Sequence, residues 1–210
     1  MKSQAHKRSP KPPSSPQVRT ARKRTSKRSR SRDPVASRQA LLDAAARLFN
    51  SVGYYGTDTN RIAIAAGYTP GTFYTHFEDK RAIFLEVYKG WVNDEINAFT
   101  DIFNSKEPGK RMRLARTLLK HHEDWATFRA SLKSLYFTDD VVRSARIEQR
   151  RKQMLLSATL RSPGKPERTP AQMLATMLIS EALADAIADG DAEKLGVKRD
   201  DLFQILLRSI

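Results

Sequence analysis

Residues 57 to 80 read Thr-Asp-Thr-Asn-Arg-Ile-Ala-Ile-Ala-Ala-Gly-Tyr-Thr-Pro-Gly-Thr-Phe-Tyr-Thr-His-Phe-Glu-Asp-Lys, and their spacing points to helix, sharp turn, helix. Ile62, Ala63 and Ala66 recur at helical spacing. Gly67 supplies the left-handed conformation that a tight turn needs, and Thr69-Pro70 presents an N-cap followed by proline at the first helical position. That is the layout of a helix-turn-helix, whose second helix can lie in a major groove.

The second of these helices is short and divided in character. Thr72, Tyr74, Thr75 and His76 carry hydrogen-bonding side chains, while Phe73 and Phe77 lie one turn apart on a single face and anchor it inward. Tyr74 and His76 taken alone also fit an ordinary amphipathic surface. The whole string is far more specific than any member of it.

Thr57 through Lys80 resembles the DNA-binding signature of the TetR family of bacterial transcriptional regulators: a threonine, Ile-Ala-x-x-Ala-Gly, then x-x-x-Gly-Thr-Phe-Tyr-x-His-Phe, then a lysine. With the flanking helices the resemblance covers residues 37 to about 92; further on, only length and an all-helical pattern match. The resemblance implies an all-α chain. By the same resemblance, an N-terminal three-helix helix-turn-helix domain is expected to be joined by a long fourth helix to a helical ligand-binding and dimerisation domain.

It also implies a cytoplasmic, nucleoid-associated homodimer that binds a near-palindromic operator in double-stranded DNA. The activity implied is repression, relieved by a small hydrophobic effector. Carried over position by position, Thr59, Asn60, Tyr74, His76 and Lys80 would contact phosphates, and Tyr68, Thr69, Pro70, Gly71, Thr72 and Thr75 would lie at or near base edges.

Two positions depart from the family's pattern. Pro70 stands where a polar or charged side chain often reaches a base, and neither Arg nor Lys lies between Thr69 and Phe77, so no bidentate contact to guanine is available from this helix. Readout is expected to lean on threonine contacts, DNA shape and a basic arm, with modest specificity per half-site. Ile64 is the second departure, an apolar residue at a usually polar position, expected to be partly exposed or to touch the fourth helix.

The arm is the N-terminus. Residues 1 to 32 hold twelve Lys and Arg and no Asp or Glu, so most of the net charge of +15 is concentrated there. Five prolines by position 34, many serines and almost no large apolar side chains predict a disordered arm over residues 1–34. Arg22, Lys23, Arg24, Lys27, Arg28, Arg30 and Arg32 are placed to track phosphates or a minor groove. The same composition supports an alternative function, a non-specific architectural nucleic-acid binder that draws its affinity from this tail.

Helical periodicity organises the rest into a helix-turn-helix domain over 35–82 and a regulatory and dimerisation domain over 83–210. The first helix is expected from Ser37, as N-cap, to Val52, with Leu48 and Phe49 against Ile62, Phe73 and Phe77. The fourth is expected to start at the Asp79 cap and reach about Phe103, a rod of roughly 37 Å. Thr169-Pro170-Ala171-Gln172 reads as a capping box, and the last two helices are amphipathic enough to pair across a two-fold axis. Trp125, Phe128, Leu132, Tyr136, Met154 and Met177 are the candidate effector pocket, although such residues at helical spacing are more often plain core.

Cysteine is absent, which removes disulfides, thiolate nucleophiles and thiolate metal sites. No uninterrupted apolar run approaches the ~20 residues that cross a bilayer, so no membrane partner is expected. His121-His122-Glu123-Asp124 is the one candidate catalytic or metal cluster, and adjacent histidines point about 100° apart on a helix. No enzyme activity, cofactor or metal is predicted.

Overall fold

The computed structural model describes residues 33–159 and 167–210. The basic arm from Arg22 to Arg32 lies outside the described residues. Among the described residues ten helices follow in chain order: α1 (Pro34–Val52), α2 (Thr59–Ala65), α3 (Pro70–Tyr74), α4 (Lys80–Asn104), α5 (Lys110–Asp124), α6 (Ala126–Thr138), α7 (Asp140–Thr159), α8 (Pro170–Ala188), α9 (Asp191–Lys194) and α10 (Arg199–Ser209).

Helix starts follow local chemistry. Asp33 caps α1 by accepting from the amides of Val35 and Ala36, and Pro34 takes the first helical position. This corrects the expected start at Ser37, which lies inside the helix and is buried. Asp58 and Asp79 cap α2 and α4. Thr169 and Gln172 exchange both bonds of the capping box at α8. Trp125 breaks the chain between α5 and α6 with φ −123°, so the two helices meet one residue apart.

One apolar cluster runs from the helix-turn-helix into the body of the chain. Phe49 of α1, Ile62 of α2, Phe73 of α3 and Phe84 of α4 share it with Phe128, Leu132 and Leu135 of α6 and Val142 of α7. Phe84 stands edge-on to Phe49 at 5.1 Å and meets Phe128 at 4.8 Å. Each fully buried phenylalanine contributes roughly 1.5–3 kcal/mol relative to exposure, so the recognition helix rests on side chains contributed by α4 and α6. A second cluster joins Leu118 and Leu119 of α5, Ala184 and Ile187 of α8 and Leu206 of α10.

α8 differs from the expectation of no membrane-length apolar helix. An 18-residue window of this 19-residue helix has a mean hydropathy of 1.3, enough by length and composition to cross a bilayer. Glu181 and Asp185 interrupt the run, and both pair inward with arginines of neighbouring helices. The outer face leaves Leu174, Leu178 and Ile179 exposed, with Ile205 of α10 exposed as well.

Candidate nucleic-acid interface and effector cavity

The turn between α2 and α3 is made as its residues demand. Gly67 takes φ +83°, and the amides of Gly67 and Tyr68 close it on the carbonyls of Ile64 and Ala63. Phe73 and Phe77 are buried, which turns Thr69, Pro70, Gly71, Tyr74 and Thr75 outward, with Asn60 exposed at the start of α2. Tyr68 and Thr72 are half-buried beside them. Thr69 occupies the cap position of α3, with its hydroxyl 3.3 Å from that of Thr72 rather than on a backbone amide. Ile64 is exposed, the first of the two outcomes expected for it.

Four residues expected on phosphate are also tied to the protein. The hydroxyls of Thr59 and Tyr74 are 3.0 Å apart, joining α2 to α3. His76 lies 2.7 Å by its Nε2 from the Ser37 hydroxyl of α1. That hydroxyl donates to the Pro34 carbonyl, so the imidazole is the donor of the pair. Lys80 donates from Nζ to the carbonyls of Tyr54 and Thr57 at 2.9 and 3.0 Å and lies over the Tyr54 ring. Burial lowers its pKa. Lys80 thus clamps the loop between α1 and α2, a role its sequence position did not announce.

A cavity of about 430 Å³ opens between α4, α5, α7 and α8. Met154 and Met177 line it, as expected, together with Phe99, Phe103 and Met173. Trp125, Phe128, Leu132 and Tyr136 do not, because α6 turns its apolar face toward α1 and α4. Phe128 and Leu132 are buried in that core, Trp125 packs edge-on against Phe128, and Tyr136 lies under the guanidinium groups of Arg143 and Arg146.

Polar residues at one end of the cavity went unforeseen. Glu95 of α4 and Glu181 of α8 are in its wall. Glu181 is held by Arg150 at 2.7 Å and Arg146 at 3.5 Å. Glu95 accepts from Gln153 at 3.1 Å and is pushed up to about 7 by burial, with the charge of Glu181 adding to the effect. The available signal was phase: Glu95 follows Trp91 by one turn on the buried side of α4, where a lone acid is anomalous.

The two histidines diverge as expected. His121 stacks on Trp91 at 4.5 Å and donates to its carbonyl, while His122 donates through Nδ1 to Asp185 at 3.0 Å. Burial holds both below their ordinary pKa, His122 down to about 2. Asp185 also pairs with Arg129 and, at 2.8 Å, with Lys133. Among the described residues no three His, Cys, Asp or Glu side chains are grouped to hold a metal ion.

Residues 41–87 match the profile of bacterial regulatory proteins of the tetR family. This segment therefore carries a TetR-type DNA-binding domain. The match to the TetR profile spans α1 through the first turns of α4, the segment whose geometry is described above. The HTH-type transcriptional regulator AcrR of Shigella flexneri is 36% identical over 85 residues, 40% of this chain and 39% of that protein. The repressor KstR2 of Rhodococcus jostii is 37% identical over 68 residues, 32% of this chain and 33% of that protein. The repressor AcnR of Corynebacterium glutamicum is 29% identical over 117 residues, covering 55% of this chain and 58% of the relative.

The chain therefore spans between a third and just under three fifths of these relatives' lengths. The TetR-type fold extends further than the sequence likeness. The fatty acid degradation regulator FadR of Bacillus halodurans superposes over 84% of this chain and 96% of its own with a TM-score of 0.60 at 16% identity. A Syntrophomonas wolfei protein assigned to the TetR family gives 0.64 over 84% of this chain and 93% of its own, at 14% identity.

Proposed function

We propose that the protein is a homodimeric, sequence-specific DNA-binding transcriptional repressor that leaves its operator when a small apolar effector fills the cavity. The observation that carries this reading is α4. Its first turn supports Phe73 and Phe77 through the shared core, and its far half supplies Glu95, Phe99 and Phe103 to the cavity wall. A helix common to both sites couples them: an effector that favours one tilt of α4 shifts the population of DNA-competent dimers by its differential affinity.

The division of labour follows exposure. Thr69, Pro70, Gly71, Thr72 and Thr75 face the major groove with Tyr68, and Asn60 reaches a phosphate from the start of α2. Thr59 and Tyr74 reach phosphates as a hydroxyl pair, while His76 and Lys80 hold the recognition helix and the preceding loop in place. The arm from Arg22 to Arg32 adds phosphate contacts without selectivity. Leu174, Leu178 and Ala182, exposed at one-turn steps on α8, meet their own copies across a two-fold axis together with Ile205. In such a dimer the two recognition helices would sit about 34–36 Å apart, one turn of B-DNA.

The test is selection from random duplex DNA by the full-length protein at ~150 mM salt, where non-specific tail binding is weakened. Enrichment of a near-palindrome is expected. Measurable binding with no enrichment refutes specific regulation and supports the architectural alternative.

A further inference from the structure

The cavity is apolar over most of its wall, yet a carboxyl group sits inside it. Ile96, Leu114, Leu118, Met154, Met173 and Met177 provide the apolar surface, and the Glu95 residue is 9% exposed. Buried charges are ordinarily paired. The groups around Glu95 do not supply that pairing. From α5, His121 stands 3.8 Å away and its Nε2 proton is committed to the Trp91 carbonyl. From α6, Arg129 is engaged by Asp185. From α7, Gln153 gives one neutral hydrogen bond, while Arg146 and Arg150 bind Glu181 of α8. Among the described residues no Lys or Arg lies within 4.0 Å of the Glu95 carboxylate.

We propose that this cavity takes a lipophilic monocation, an amphipathic amine or quaternary ammonium with a flexible apolar body, and that Glu95 is its counter-ion. The inference rests on the effector-cavity reading above. The cavity's volume suits one small ligand. Phe99 adds an aromatic ring to the wall, while the Phe103 ring is covered by the Lys110 ammonium, and three methionines conform to an irregular apolar body. The opposite assignment, an amphipathic acid held by Lys110, Arg111 and Arg168, is disfavoured because those side chains are exposed, where salt screens them.

The bare site holds Glu95 half-protonated near neutral pH, since burial pushes it up to about 7. Binding a cation then releases that proton to solvent, and affinity rises with pH.

The experiment uses the full chain at ~150 mM salt and a pair of probes with one tail and opposite heads, decyltrimethylammonium and decanesulfonate, titrated calorimetrically below their micellar concentrations. The expected result is saturable binding of the cation, one per chain, about tenfold tighter at pH 8 than at pH 6, and preferred over the anion despite the positive net charge of the protein. Glu95→Gln should weaken the cation at least tenfold at pH 8 and erase the pH step; Glu95→Asp, which keeps the charge, should retain it.

Decanesulfonate binding equally well and displacing the cation overturns the proposal, as does undetectable cation binding or unchanged affinity in a folded Glu95→Gln protein. Operator selection on the same preparation separates the two levels. An enriched palindrome with failed cation binding rejects the ligand class alone, whereas no enrichment rejects the regulator reading.

Discussion

His76 of the recognition segment donates from Nε2 to the Ser37 hydroxyl of α1 across 2.7 Å, a contact that fixes the end of α3 against the first helix. If His76 works through Ser37, then Ser37→Ala and His76→Ala should lower operator affinity by similar factors, and the double variant should be no worse than either. Each should cost about 1 kcal/mol of stability. A double-mutant cycle on DNA affinity with the salt slope measured alongside decides it. A shallower slope in His76→Ala alone would instead place the imidazole on a phosphate.

Lys80 is predicted to act on stability before it acts on DNA. Its ammonium donates to two carbonyls in the loop after α1, and Lys80→Met removes both bonds while keeping the aliphatic stem over Tyr54. The loss should be about 1–3 kcal/mol, seen as a lower midpoint in urea with an unchanged m-value. A variant of normal stability with a reduced salt slope would reverse the assignment.

Much of the helix-turn-helix was legible because its chemistry is local. Gly67 at positive φ, proline at the first position of α3 and the aspartate caps of α2 and α4 depend on neighbours within a few residues, as does the capping box of Thr169 and Gln172. Ser37 misled because a serine before an apolar run resembles a cap, while Asp33 with Pro34 offered a stronger one.

The cavity was half legible for a different reason. Periodicity puts Phe128 and Met154 alike on apolar faces. Which face meets a void depends on how α6 and α7 are rotated against α1, α4 and α8, and that is tertiary information. The loop clamp made by Lys80 and the buried Glu95 went unread for the same reason: their partners, Tyr54 and Gln153, are distant in the chain.

The exposed stripe of α8 is predicted to be the dimer contact. Leu178→Arg puts a charge at its centre, where pairing with a second copy would bury it unpaired at a cost of several kcal/mol. Light scattering after size exclusion should show a monomer that retains its helicity and loses cooperative operator binding. A Leu178→Arg protein that stays dimeric at micromolar concentration would move the interface elsewhere.

Glu95 carries a stability prediction separate from any ligand. Its carboxyl titrates at an ordinary value of 4.5 when unfolded and at about 7 in the fold, raised chiefly by burial. The folded chain thus binds the proton more tightly, so this contribution favours folding fully below pH 4.5 and is lost as pH rises through 7. The shift corresponds to about 3 kcal/mol. His122 works in the opposite sense: held neutral in the fold by burial, it opposes folding as pH falls below its ordinary 6.5.

Comparing Glu95→Gln with the parent removes the histidine term, which both share. The difference in unfolding free energy should be small near pH 5 and should favour the glutamine variant increasingly between pH 5 and pH 8. A pH-independent difference would mean that the Glu95 carboxyl stays ionised and finds its counter-charge within the fold.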